Sequence, residues 1–390
     1  MKKHAAPSLL LMIVLVAFPQ ISETIYSPSL PDISHALNTT NSAVQLTLSI
    51  YFIGFAIGVF CWGWLSDFIG RRPAMLGGLI FYGIGCFMCF YAETITFLLV
   101  SRFIQAFGAA TGSIITQTIL RESVSGSKRH AMFAQISAVI AFTPAVGPLI
   151  GGWVDQALGF RAVFFVLVVM SILLFIYTYL RLPETTDIST RKRIAIYPVV
   201  KRILSSPKVL VFGLLIGGIN GVLFSYYAEA PFIFIEHFHI SPGLYGFLGI
   251  FVALASIIGA MISKRLVVNY KPEKVIHLGC YVMIAGAFLQ LIVSILPFSN
   301  HVLFSSILGT IFILLLGAGI ALPNCLSLAL VSFQDVIGTA GAIFSLGYYL
   351  LVSLITSGMS LLHNGSLLIM PLYFVILTML MLLFGRKYIV

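Results

Sequence analysis

Two carboxylates stand inside long apolar stretches, where an acid is expensive: Glu23 in "PQISETIYSPSL" and Glu229 in "FSYYAEAPFIF". The other ten acids fall in polar loops or at the ends of apolar stretches. Burial disfavours the charged form of a carboxyl group. Either acid could therefore take a proton from one side of a barrier and release it on the other as its hydration changes. The same charge could instead attract a cation, and one carboxylate can serve both if proton and cation compete. Arg102, in "SRFIQAFGAATG", is an arginine inside an apolar stretch. A charge at such depth costs at least about 2.5–3.5 kcal/mol and needs a carboxylate or carbonyl partner. Gln20, Gln45, Gln135 and Asn220 are further polar groups that could line a cavity. Tyr26, Tyr226 and Tyr227 flank the two acids. Aromatic faces beside an acid suit a lipophilic cation, although tyrosines near a helix end also form ordinary interfacial belts.

The elements that must hold these groups follow from composition. Of 390 residues, 59% are hydrophobic and only 9% charged, against about 25% charged in soluble domains. Lipid must be the solvent for most of this surface. Twelve apolar windows of about 20 residues can be laid out, the first near 8–27 and the last near 367–385. Unpaired backbone groups are not tolerated in hydrocarbon, so the windows must be helices. The expected fold is an all-α integral membrane protein with twelve transmembrane helices.

Net charge is +10, but its placement matters more than its sum. With both termini in the cytoplasm, 20 of the 22 Lys and Arg residues fall on that side. The positive-inside rule fixes that orientation and favours an even number of spans. The basic charge therefore reads as an orientation signal, and no nucleic-acid partner is expected. The longest polar stretch, 181–208, divides a six-helix half at 1–180 from another at 209–390. Its basic cluster could also bind anionic membrane lipid. A faint repeat supports two halves: Gly63 and Gly259 each close a glycine-bearing helix before a basic loop.

Several motifs read as ordinary structure. Cys86 and Cys89 form a CxxC without a second pair or a nearby histidine, so they are expected to be small packing residues. His237 and His239 beside Glu236 fit a solvated loop better than a metal site. No metal or organic cofactor is expected. The N-terminal "MKKHAAPSLLLMIVLVAF" has a signal-like charge and apolar run but no small-x-small cleavage site, and is expected to be a retained first span.

"GWLSDFIGRRPAMLGG", residues 63–78, is the turn between spans 2 and 3. Gly63 permits close helix approach, Gly70 a sharp turn, and Pro73 the first turn of the next helix. Asp67 can pair with Arg71 or Arg72. This stretch resembles the loop signature of the major facilitator superfamily, in which the carboxylate and arginines latch two six-helix halves on the cytoplasmic side. "RFIQAFGAATG", with Arg102, Gln105 and Gly108, is similar to a motif of the same family. "TPAVGPLIGGW" resembles its antiporter motif through Gly147, Pro148, Gly151 and Gly152. Pro144 lies in the same stretch, and Thr143 replaces the first glycine. "SETIYSPSLPDI" resembles the first span of the Bcr/CflA-type (bicyclomycin/chloramphenicol-resistance) drug:proton antiporters through Tyr26, Pro28 and Pro31, with Glu23 where aspartate is usual.

The resemblance implies the major facilitator fold in a bacterial inner membrane, functional as a monomer. It implies efflux of small lipophilic molecules in exchange for protons, by alternating access. Export of an endogenous metabolite such as a siderophore, sugar or amino-acid derivative stays open, as does proton-coupled uptake, which the span 5 motif disfavours. An intramembrane enzyme would need a buried nucleophile with its base, or metal ligands such as HExxH, and the sequence carries neither.

Overall fold

Ser8, Thr40 and Ser241 each open a helix in the same way. Their hydroxyls accept hydrogen bonds from the amides of Leu11, Ala43 and Leu244 at 3.2–3.3 Å, satisfying donors that a helix start leaves free. The computed structural model describes residues 7–123, 126–185 and 196–389, and several side chains between 121 and 144 lie outside the described residues. The helices are α1 (Leu9–Thr24), α2 (Leu30–Ala36), α3 (Asn41–Ile69), α4 (Arg71–Phe90), α5 (Ile95–Ser123), α6 (Gly126–Leu158) and α7 (Phe160–Arg181). They continue with α8 (Ile196–Leu204), α9 (Pro207–Pro231), α10 (Pro242–Leu266), α11 (Pro272–Ile295), α12 (Asn300–Leu328), α13 (Ile337–Leu362) and α14 (Ile369–Tyr388). Eleven helical segments among the described residues are long and apolar enough to cross a bilayer, with α1 and α2 counting as one. The remaining long helix is α6, of 33 residues.

The first span is longer than its apolar window. It tightens into a 3₁₀ turn at Ser27–Ser29 and resumes as α2. Pro28 and Pro31 sit in the first turns of the two short pieces, where a missing N–H costs nothing.

Buried apolar side chains form two clusters. One runs from Leu11 to Leu182 and takes in Ala228 and Phe232; the other runs from Val199 to Ile389 and takes in Phe52. For description, α1–α7 are the first helix set and α8–α14 the second. Two seams join them, α6 on α10 and α3 on α13. At the first seam, Gly246 of α10 lies so close that a Cβ there would meet the Pro148 carbonyl oxygen at 2.6 Å. The loops rich in Lys and Arg gather at one end of the bundle, here the basic end.

Candidate functional site

The most deeply buried charge among the described residues of the first set is Arg102 on α5, with no exposed surface. Its guanidinium lies 3.9 Å from the centre of the Tyr26 ring and 4.3 Å from that of Tyr51 on α3. Two π faces thus enclose the cation, an arrangement strengthened by the absence of water. Nη1 donates to Gln105 Oε1, whereas Nε and Nη2 have no hydrogen-bond partner among the described residues. Gln105 is held from behind by its Nε2, 3.1 Å from Cys86 Sγ, and Cys89 Sγ lies 3.9 Å from its Oε1. The CxxC therefore supports the glutamine that steadies Arg102, and all five cysteines are free.

Glu23 lies three residues before Tyr26 on α1 and is 8% exposed. At 1.5 Å per residue it stands roughly 21 Å along the helix from Leu9. It forms no hydrogen bond or ion pair among the described residues. Its charge is felt by Tyr51 of α3, by Tyr227 of α9 and by Tyr348 and Tyr349 of α13, and Arg102 acts on it in return. The acid therefore lies within electrostatic reach of tyrosines from both helix sets. A continuous aromatic layer lies alongside: Phe52 is 4.4 Å from Phe224 and Phe55 is 4.8 Å from Tyr349, centroid to centroid.

Glu229 is placed differently. It is 2% exposed and lies close to the end of α9 away from the basic loops. Both carboxylate oxygens lie 2.9 Å from His363 Nδ1, and Oε2 accepts from Gln45 Nε2 at 2.8 Å. Sequence reasoning named Glu229 and Gln45 separately and missed His363. A lone histidine at the far end of span 11, level with a lone acid at the far end of span 7, was the available signal.

At the basic end, Gly70 has φ +106°, a conformation that glycine adopts without strain. A side chain there would also strike Glu184. The Glu184 carboxylate accepts from the Arg71 and Arg72 amides at 3.0 and 3.1 Å, capping the positive start of α4. Arg71, 5% exposed, donates from Nη1 to Asp67 and Ser66, both at 2.6 Å. From Nη2 and Nε it donates to Glu122 at 2.7 and 3.2 Å. Arg72 donates to the Tyr179 carbonyl at 2.9 Å. These partners belong to the first set, apart from Glu184, which follows α7 in the stretch between the sets. Gly63 lies beside Ile114, and Ala342 of α13 is 4.0 Å from where its Cβ would be. Glu122 and Glu184 were not singled out in the sequence.

The span 5 glycines work on two faces of α6. Gly147 and Gly151 admit Thr24 and Ile25 of the first span, while Gly152 admits the Pro242 carbonyl of α10. One short motif thus seats both the helix that carries Glu23 and a helix of the opposite set. Pro144 is in the helix, its side chain outside the described residues.

Among the remaining sequence candidates, Tyr226 and Tyr227 are buried, Gln20 is half-buried and Gln135 is exposed. Asn220 turns its amide to the Ile216 carbonyl of its own helix at 2.8 Å. Asp155, one turn from the end of α6, is a buried acid that sequence reasoning left among the helix ends. It is 3% exposed, and neither carboxylate oxygen meets a donor among the described residues.

Hydrogen bonds between the two sets gather away from the basic end. Ser27 Oγ donates to the Tyr227 carbonyl at 2.7 Å, and Asn41 Nδ2 to Glu236 at 3.2 Å. The Gly243 amide donates to Gln156 at 3.0 Å, and Ser353 Oγ to the Ser49 carbonyl at 2.7 Å.

A twelve-helix membrane bundle in two sets, with buried acids where the sets meet and a charged turn at one end, describes a transporter rather than an enzyme. Residues 12–357 match the Major Facilitator Superfamily model, and the chain belongs to that family. It is 32% identical to an uncharacterized transporter of Rickettsia bellii, over 94% of this chain and 93% of the relative. It is 30% identical to a chloramphenicol resistance protein of Pseudomonas aeruginosa, over 93% and 85%. The second of these relatives agrees with the Bcr/CflA-type resemblance of the first span. The xylose transporter XylE from E. coli shares the fold with a TM-score of 0.76 at 14% identity, over 98% and 97% of the two chains.

Proposed function

We propose that this transporter exports small lipophilic compounds, cations foremost, in exchange for protons across a bacterial inner membrane. The observation that carries the reading is Glu23: a buried acid with no hydrogen-bond partner among the described residues, within electrostatic reach of tyrosines of both helix sets. Tyrosine faces offer apolar contact and a negative quadrupole to a lipophilic cation. The carboxylate supplies the countercharge, or holds a proton when no cation is present. Competition between the two for one acid couples their movements without any nucleotide. An inward proton gains about 2.3 kcal/mol per 100 mV if the exchange moves net charge. The relative named for chloramphenicol resistance supports an exporter of foreign compounds.

In this reading the halves are residues 1–180 and 209–390, joined by 181–208, part of which lies outside the described residues. Both termini are cytoplasmic, lipid meets the basic linker, and the single chain works as a monomer. The bundle is closed on the outside, where the hydrogen bonds between sets gather. A Cβ added at Gly338, Gly341 or Gly347, along the basic half of α13, would meet nothing within 4 Å, as a cavity open to the cytoplasm requires. Arg71, Asp67 and Glu122 then wait within the first set for the opposite state, in which the cytoplasmic side closes.

The test is binding of tetraphenylphosphonium to the purified protein at several pH values. Affinity should fall as pH is lowered, because proton and cation compete, and Glu23→Gln should bind weakly at every pH. Binding that ignores both pH and the substitution would overturn the reading.

A further inference from the structure

Three side chains, two on helices and one in the turn that follows a third, meet from both sets at the end away from the basic loops. Glu229 comes from α9, His363 from the turn after α13, and Gln45 from α3 of the other set. The Glu229 carboxylate is shared between His363 Nδ1 and Gln45 Nε2 at 2.8–2.9 Å. Gln45 Nε2 also lies 3.1 Å from the histidine nitrogen, so both donors converge on one anion. The other amide atom, Gln45 Oε1, is buried and has no hydrogen-bond partner among the described residues. Beside the cluster is a cavity of about 220 Å³ lined by Glu229, Glu236, His237 and His363, among others. The Phe232 ring lies 5.2 Å from the His363 ring.

We infer that this cluster is a proton-operated clasp: it holds the two helix sets together at this end while Glu229 is anionic and His363 cationic, and releases when either charge is lost. The clasp does not depend on what is carried, nor on Glu23. The anionic form draws a donor from each set. His363 Nδ1–H and the Gln45 amide both donate to the carboxylate, and charge-assisted bonds of this kind are the strong ones. The orphaned Gln45 Oε1 belongs to the other form. If Glu229 takes a proton, its O–H becomes a donor, and rotating the Gln45 amide would give that donor an acceptor. The rotation removes Gln45 Nε2–H from the carboxylate, and the neutral acid no longer attracts His363. The adjoining cavity is the place from which the proton would come.

The groups facing the cluster set its direction with pH. Glu236 and His237 line the same cavity, and His35 of α2 lies 3.7 Å from Glu236. Helix α3 contributes the uncharged Gln45 and Asn41. Burial alone would lower the titration of His363, but the Glu229 hydrogen bond and charge, aided by Glu236, raise it above the ordinary histidine value. A group raised in this way contributes its stabilisation below its ordinary pKa and loses it as pH climbs through the raised one. The clasp therefore has two limits. It weakens at the acid side, where Glu229 gains a proton, and at the alkaline side, where His363 loses one.

The test is the distance distribution between spin labels at Leu158→Cys and Phe298→Cys, exposed positions on the two sets at this end. The full-length protein would be measured across pH. Charge-assisted hydrogen bonds of this strength correspond to about a tenfold to hundredfold change in the ratio of closed to open forms. The closed population should dominate in a middle window and fall at both limits. Glu229→Gln should shift the ratio toward open by about tenfold in the middle window and flatten its dependence on pH. His363→Lys, a cation through the range tested, should keep the acid limit and lose the alkaline one. A closed population insensitive to pH, or an alkaline limit that survives in His363→Lys, would overturn the clasp. If Glu229→Gln does not fold, the His363→Lys profile decides.

Discussion

Replacing Arg102 with methionine should leave the fold intact and stop transport. The stability side can be worked from the geometry. Two tyrosine faces at 3.9 and 4.3 Å stabilise the cation by about 2 kcal/mol each when water is absent. The bond to Gln105 adds about 1.5–3 kcal/mol. Against these stand Nε and Nη2, both without partners among the described residues, at about 1–3 kcal/mol each. Desolvating the charge itself costs several kcal/mol more. The opposing terms nearly cancel, and methionine fills a similar volume with an adaptable side chain. Arg102→Met should therefore change unfolding stability by no more than about 2 kcal/mol in either direction, measured by thermal unfolding in detergent. Transport in liposomes should fall at least about tenfold, since the positive charge acting on Glu23 is gone. A loss above about 4 kcal/mol would show that the arginine is a structural tie. Normal transport would show that its charge is not used.

Other perturbations separate the remaining parts of the site. Gly151→Ala would drive a Cβ into the Ile25 carbonyl, backbone that cannot rotate away. It should cost about 1–3 kcal/mol and reduce transport sharply by displacing the helix that carries Glu23. Gly77→Ala meets only the edge of the Trp62 ring at 3.3 Å and should be mild in the same assays. At the cytoplasmic turn, Asp67 is 57% exposed, so Asp67→Asn should change stability by less than about 1 kcal/mol while slowing turnover. Arg71→Ala, which removes the bonds to Ser66, Asp67 and Glu122 and empties a buried site, should cost about 3 kcal/mol by denaturation.

What was legible in the sequence is what periodicity and solvation dictate. Apolar windows had to be helices because lipid offers backbone no partner, and the positions of the long helices follow. The 3₁₀ turn at Ser27–Ser29 was hidden because an apolar window measures hydropathy, not the local winding of the helix. Glu23 and Arg102 stood out because charge is rare at that depth. Their surroundings did not: Tyr348 and Tyr349 read as one more aromatic pair, and nothing in the spacing tells which tyrosines face an acid some 325 residues away in sequence. Glu229 was visible, yet its partners lie on α3 and beyond α13, and only tertiary packing selects them. Asp155 was taken for an ordinary helix-end acid. It is buried because Gly151 and Gly152 draw the first span and α10 onto that end of α6.

The most direct measurement is proton flux through purified protein in liposomes under an imposed pH gradient, with tetraphenylphosphonium, a neutral antibiotic and small metabolites offered in turn. The account predicts that a lipophilic compound dissipates the gradient through the wild type and not through correctly folded Glu23→Gln. Equal dissipation through both proteins would contradict it, because the buried acid between the helix sets would then have no part in coupling.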